Sequence, residues 1–326
     1  MKTMCLIIPT KGRPDAINAY LASQAYIAGQ LGIDILIQDS SESDETRKIV
    51  EKWKKQHLCK IDYFYYVEPQ KINSIDEKIQ EISQIASKKY AYLCFSSDGT
   101  ILQMNRVWTY VESYVYQGID LIIQGTERLD GQNEVYFNEG VTLLQKCIWR
   151  MVALNSTIVS SKFMLACLAY SKKKEDDPTD LWIPMVYFRV IAGRSDVRSV
   201  YLYMPDVVKV NPFISESFWR VQGLALWQWC ERWCVVIDSL PLQYNDVKAL
   251  ALLSHDAHCH IFSPISVIGL RAYNNFSLAD IKRYKHYINR VTRTPVWFFI
   301  LVAILIHPAV AKVLKKKYKR WKGLKV

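Results

Sequence analysis

Through the first two hundred positions, short apolar runs stop abruptly at polar, turn-forming residues, and stretches of helical periodicity separate them. Met4-Cys-Leu-Ile-Ile-Pro9 gives way to Thr10-Lys-Gly-Arg-Pro14, and Ile33-Asp-Ile-Leu-Ile37 gives way to Gln38-Asp-Ser-Ser41. Between them Ile17, Leu21, Ala28 and Leu31 recur at helical spacing behind Pro14, a residue tolerated in a first helical turn. Ser41–Asp44 supplies caps for a second helix carrying Ile49, Val50 and Trp53. Ile61–Val67 reads as an aromatic-rich third strand. Ser74-Ile-Asp-Glu77 reads as a capping box for a helix with Ile75, Ile79, Ile82 and Ala86 on one face. Ala91–Phe95 reads as a fourth strand running into Ser96-Ser-Asp-Gly99, with a further strand at Asp120–Gln124. Alternation of strand and helix predicts an α/β fold with a mainly parallel sheet and helices on both faces. In such sheets ligands sit in the crevice beyond the carboxyl ends of the strands.

Further along, Tyr136–Leu168 reads as helical and apolar, and the polar run Ser171–Thr179 as an exposed loop. Asp180-Leu-Trp-Ile-Pro-Met-Val-Tyr-Phe-Arg-Val-Ile-Ala-Gly193 predicts a helix kinked near Pro184 and closed by glycine. One or two strands fall in Val197–Val210, around Pro205. After Pro212 tryptophan concentrates at Trp219, Trp227, Trp229 and Trp233, and the pattern is helical to about Arg293. These changes predict a first domain at 1–213, a Trp-rich helical extension at 214–277 and a basic amphipathic and hydrophobic segment at 278–326.

Charge sharpens that last boundary. The 326 residues carry a net +11, but 13 of the 42 Lys and Arg lie in residues 282–326, which hold no Asp or Glu. The other 29 basic residues face 31 acidic ones, so the body is near neutral and has no bias toward nucleic acid. Val296–Ile306 is wholly apolar yet short of the roughly twenty residues that span a bilayer. Arg290 and Arg293 precede it and Lys315–Lys317 follow it, which favours an in-plane segment over a span, held on an anionic membrane surface. Residues 278–293, with Leu278, Ile281, Tyr284, Ile288 and Val291 on one face, predict an amphipathic helix feeding into it. Met1 runs almost directly into the first strand, leaving no room for a signal peptide. The eight scattered cysteines read as free thiols suited to a reducing cytoplasm.

Three strand ends in order, Pro9-Thr-Lys-Gly-Arg13, Gln38-Asp39-Ser-Ser41 and Tyr92-Leu-Cys-Phe-Ser-Ser-Asp98, followed by Asp180-Leu-Trp182, resemble family 2 glycosyltransferases of the GT-A fold. More narrowly, they are similar to bacterial members that build capsule, O-antigen or related surface glycans, over roughly residues 3–210. The resemblance implies a Rossmann-like catalytic domain that moves a sugar from a nucleotide-sugar donor, UDP-sugar favoured, with inversion, to a lipid-linked or surface-glycan acceptor. It places Pro9, Thr10 and Arg13 in the nucleotide pocket, Asp39 on base or ribose, and Ser97 and Asp98 at the diphosphate. The family's Asp-x-Asp is reduced here to Ser96-Ser97-Asp98, so Asp98 alone would hold Mg²⁺ or Mn²⁺, together with diphosphate oxygens. Asp180 is the candidate general base, with Asp177 and Asp176 as rivals. With the cationic tail, the resemblance implies a peripheral, monotopic enzyme at the cytoplasmic face of the cell membrane.

The degraded metal motif also fits a catalytically degenerate GT-A module that binds a partner or glycan. A sugar nucleotidyltransferase is disfavoured by the single glycine of the first loop, and neither Gly-x-Gly-x-x-Gly nor a Walker A sequence is present. His255-Asp-Ala-His-Cys-His260 is spaced too irregularly for a metal site. Gln228–Trp233 is one residue longer than the Gln-x-x-Arg-Trp motif of processive synthases, so its tryptophans read as core or interface residues.

Overall fold

The computed structural model describes residues 2–67, 74–172, 183–213, 225–273 and 277–321. The chain divides into two compact units, Met1–Ile214 and Ser215–Val326.

In the first unit the described elements run β1 (Lys2–Thr10), α1 (Pro14–Gln30), β2 (Asp34–Asp39), α2 (Glu45–Lys54), β3 (Ile61–Tyr65), α3 (Ser74–Ser87), β4 (Tyr90–Phe95), β5 (Thr100–Leu102) and α4 (Met104–Tyr116). There follow β6 (Leu121–Gly125), β7 (Glu134–Phe137), α5 (Gly140–Met151), β8 (Thr157–Ser160), α6 (Ser161–Lys172), α7 (Ile183–Ala192), β9 (Ser199–Tyr203) and β10 (Val208–Val210). Eight strands form one sheet in the order β3-β2-β1-β4-β8-β6-β9-β7, and β5 pairs with β10 in a small second sheet. β3, β2, β1 and β4 are mutually parallel, whereas β8 runs antiparallel between β4 and β6. Parallel strands buried on both faces read as continuous apolar runs, and Met4–Ile8 is fully buried. Leu6 and Ile8 pack toward Ile17, Tyr20 and Leu21 of α1. Among the helices, α1 packs on α2 and α4, and α3 on α6 and α7, the two helical layers expected of an α/β sheet.

One expectation fails here. The helical reading of Tyr136–Leu168 is interrupted by β7 and by β8, a Thr-Ile-Val-Ser strand in the middle of the sheet. An apolar run this short has no period that separates a buried strand from a buried helix turn, and its β-branched residues were the only local sign. With β8, and with β7 antiparallel to β9, the sheet is parallel in its first half and mixed in its second.

In the second unit a π-helical turn (Trp227–Arg232) runs into α8 (Trp233–Asp238), followed by α9 (Asn245–Cys259), α10 (Pro264–Arg271), α11 (Leu278–Val291), α12 (Val296–Leu305) and α13 (Pro308–Trp321). A π turn carries one residue more than an α turn. Gln228 and Arg232, too far apart for the shorter motif, are joined by a guanidinium-to-amide hydrogen bond of 3.0 Å. α11 opens with a capping box between Ser277 and Asp280. Its apolar face, Ile281, Tyr284, Ile288 and Val291, is buried inside this unit. The amphipathic helix expected over 278–293 is present, and its apolar face is committed to the protein core rather than left for a membrane. All eight cysteines are unbridged.

Candidate functional site

The strand order makes β1 the switch point of the parallel half: β2 and β3 lie on one side of it and β4 on the other. Open α/β sheets hold their ligands beyond the carboxyl ends of such strands, so the ends of β1, β2 and β4 mark the candidate crevice. Pairing puts Thr10 level with Asp39 and Ile7 level with Phe95, so the Thr10, Asp39 and Asp98 segments leave the sheet side by side.

Their polar groups converge. The Thr10 hydroxyl donates to Asp98 Oδ2 at 2.9 Å, and the Arg13 guanidinium donates to Asp98 Oδ1 at 2.7 Å. Asp39 Oδ1 accepts from the Ser41 backbone N–H at 2.9 Å and the Ser41 hydroxyl at 2.5 Å, and its Oδ2 accepts from Tyr63 at 2.9 Å. Burial together with the neighbouring Asp39 carboxylate pushes the Tyr63 phenol well up, so it stays a donor. Ser41 Oγ in turn accepts from the Gly12 N–H at 2.7 Å. Gly12 holds φ +62°, a left-handed conformation that glycine adopts without strain, and this turns the loop so that Arg13 faces Asp98. Asp39 is thus fully buried and shapes the Lys11–Arg13 loop through Ser41.

Two residues that the sequence reading passed over complete the site. Lys78, on α3 and buried, donates to the Thr10 carbonyl and, at 2.9 Å, to Ser40 Oγ, placing an ammonium beneath the crevice. A sign was available, since position 78 lies on the same helical face as Ile75, Ile79 and Ile82, where a lysine is out of place. Asn211, just beyond β10 and without exposed surface, donates from Nδ2 to the Asp98 and Ala16 carbonyls, both at 3.0 Å. It pins the Asp98 loop to α1 from the far end of the unit. No local pattern marks it. α1 supports the same region: the Leu102 N–H donates to Tyr20 and the Met104 N–H to Gln24.

Ser97 Oγ lies 3.0 Å from Thr100 Oγ1, beside Asp98. Pro9 is the penultimate residue of β1, directly opposite Gln38. Asp176, Asp177 and Asp180 lie outside the described residues, as does Trp219.

Hard oxygen donors suit Mg²⁺ or Mn²⁺. Asp98 would be the carboxylate to offer one, and both its oxygens are already engaged by Thr10 and Arg13. No group of three His, Cys, Asp or Glu gathers among the described residues. The chain's own donors at Asp98 accommodate a cation only when Arg13 swings away and further oxygens arrive with a ligand. His255 of the second unit is instead stacked on Trp229 at 4.0 Å and on Trp233 at 5.7 Å.

No protein-family model matches the sequence, and no curated protein matches it. Solved structures do. A structure of S. aureus TarS 1-349 superposes with a TM-score of 0.51 at 11% identity, over 98% of this chain and 92% of that one. The same protein in complex with UDP gives 0.50 at 13% identity, over 98% and 92%. The mannosyltransferase PcManGT from Pyrobaculum calidifontis, in complex with GDP-Man and Mn²⁺, gives 0.51 at 11% identity, over 97% and 87%. At such identities the likeness shows the fold, and it extends over nearly the whole chain. That shared fold agrees with the α/β fold class read from the sequence.

Proposed function

We propose that this protein is a nucleotide-sugar-dependent glycosyltransferase whose donor diphosphate sits in the crevice bounded by Thr10, Arg13 and Asp98. The observation that carries this reading is the convergence of those three side chains with Asp39 and Lys78 at the switch point of the sheet. The fold is shared with a mannosyltransferase that holds GDP-Man and Mn²⁺ and with a protein that holds UDP, which supports the same ligand class. A UDP-sugar is our favoured donor.

In this reading Arg13 leaves Asp98 for the diphosphate, with the Thr10 hydroxyl and the Lys78 ammonium adding to the positive field at the crevice floor. Asp39, held by Ser41 and Tyr63, sets the wall against which base and ribose lie. Asp98, with Ser97 beside it and oxygens of the diphosphate, would hold Mg²⁺ or Mn²⁺. When bound, the cation supplies charge neutralisation to the departing nucleoside diphosphate. The acceptor hydroxyl attacks the anomeric carbon, an aspartate takes its proton, and the bond to the diphosphate oxygen breaks with inversion. Asp180 is the proposed base, with Asp177 and Asp176 as alternatives. We place the acceptor among lipid-linked or surface glycans, at the cytoplasmic face of the membrane.

The test is release of nucleoside diphosphate across a panel of UDP- and GDP-sugars, with and without Mn²⁺. One donor should be turned over, and Asp180→Asn, or the same change at Asp177 or Asp176, should abolish transfer while leaving donor binding intact. A second reading is favoured by one observation, the full engagement of a lone Asp98. In it the chain is a catalytically degenerate binding module, and it predicts no turnover of any donor and no nucleotide binding that a cation strengthens.

A further inference from the structure

We propose that α12 and α13 form an in-plane docking surface for an anionic lipid bilayer, with α12 inserted among the acyl chains and α13 lying among the headgroups. The proposal does not rest on the transferase reading.

α12 contains no polar residue. Val296, Phe299 and Val302 face inward, and Phe299 packs on Phe262 with ring centroids 5.9 Å apart. The opposite side presents Trp297, Ile300, Leu301, Ile304 and Leu305, with Trp297, Ile304 and Leu305 60%, 59% and 72% exposed. A surface helix of a water-soluble protein carries polar residues on its outer side; this one carries none. α13 is different in kind. Val310, Val313, Leu314 and Trp321 fall at i, i+3, i+4 and i+11, an exposed apolar stripe. Lys317 lies within the stripe and Lys316 and Arg320 beside it, all exposed, and long basic side chains of this sort lift their charge to the headgroups while their stems cover apolar surface. No acidic residue occurs after Asp280. A second copy of this chain would meet that positive charge with its own; an anionic bilayer complements both the charge and the apolar face.

The bend between the helices is built in. Their axes meet at 109°, and among the described residues no single helix is long and apolar enough to cross a membrane. At about 15 Å and 21 Å by helical rise, neither reaches across a hydrocarbon core of about 30 Å. Arg271 of α10 holds the break: its Nε donates to the Ile306 carbonyl at 3.1 Å and its Nη2 to the Ala303 carbonyl at 3.3 Å. It thereby satisfies carbonyls that a helix end leaves without partners. Lys315 fixes α13 from its inner side, donating to Tyr273 at 2.6 Å with its ammonium over the same ring. Straightening the pair into one span would break both sets of contacts.

The experiment is flotation of the full chain with vesicles of phosphatidylcholine alone or mixed with phosphatidylglycerol. Wild type should float with the mixed vesicles, and less so at high salt. Leu301→Glu/Ile304→Glu and, separately, Lys316→Glu/Lys317→Glu should each lower partitioning by at least about tenfold. Both pairs alter exposed side chains, so melting temperature and nucleotide binding in solution should not move. Flotation of either variant as well as wild type, or failure of wild type to float, would overturn the proposal. Protection from an added protease of residues on the far side of the bilayer would overturn it in favour of a span. Lipid-free self-association that the Leu301/Ile304 variant abolishes, without flotation, would assign the surface to a second copy.

Discussion

The Arg13–Asp98 pair makes an asymmetric prediction. Both Asp98 oxygens accept hydrogen bonds, and its side chain is 9% exposed against 28% for Arg13. Two unit charges about 4 Å apart attract by about 4 kcal/mol at an effective dielectric of 20, and water on the Arg13 side reduces that. Arg13→Ala strands a buried carboxylate with Thr10 alone, so it should cost about 3 kcal/mol, at the low end for breaking a buried pair. Asp98→Asn should cost less, about 1 to 2 kcal/mol, because the neutral amide oxygen still accepts from Thr10 and Arg13 turns to solvent. Once one partner is gone the other mutation has little left to remove, so a double-mutant cycle should return a coupling of about 2 kcal/mol. The assay is urea unfolding of the full chain, followed by far-ultraviolet circular dichroism and tryptophan fluorescence and fitted with a separate transition for each unit. Coupling below about 0.5 kcal/mol, or a larger loss for Asp98→Asn than for Arg13→Ala, would refute the pairing on which the crevice geometry depends.

Two further predictions concern the scaffold. His255 is buried between two tryptophans, and its ring nitrogens have no hydrogen-bond partner among the described residues; burial lowers its pKa from 6.5 to about 3. It is neutral when folded and protonates on unfolding below pH 6.5, so stability should fall with acid by about 1.4 kcal/mol per pH unit between roughly pH 6 and 3. Acid titration of unfolding stability should lose this slope in His255→Phe, and an unchanged slope would contradict it. At Gly29 an added Cβ would lie 1.7 Å from the Leu58 carbonyl oxygen, a backbone atom that cannot step aside. Gly29→Ala should therefore destabilise the first unit by about 1 to 3 kcal/mol, as overpacking does, and a thermal melt matching wild type would show that the α1–loop approach is looser.

The fold was legible where local pattern and burial agree. β1, β2 and β4 each hold an apolar run, Met4–Pro9, Ile35–Ile37 and Tyr90–Phe95, that stops at turn formers, because a parallel strand has no solvent face to alternate with. β8 escaped because its four residues carry no period, and its place in the sheet is decided by pairing with β4 and β6, which no local pattern encodes. The same division holds in the crevice. Thr10, Arg13, Asp39 and Asp98 stand at strand ends and can be read from the chain. Asn211 reaches Asp98 across 113 positions, and only the tertiary fold brings them together. The C-terminal apolar run reads as one segment, yet it breaks at Ile306–His307, where Arg271 caps the first helix from outside the segment. The amphipathic pattern of 278–293 meets a related limit. An amphipathic helix declares that one face is buried, not whether protein or lipid buries it.

The central claim is that the Thr10–Arg13–Asp98 crevice binds the diphosphate of a nucleotide donor. Calorimetric titration of UDP and GDP into the full chain, with and without Mn²⁺, tests it directly, using wild type, Asp98→Asn and Asp39→Asn. The account predicts saturable binding of one nucleotide to wild type, weakened at least about tenfold, or 1.4 kcal/mol, in each variant. Absence of binding by either nucleotide, or binding that both variants leave unchanged, would contradict it.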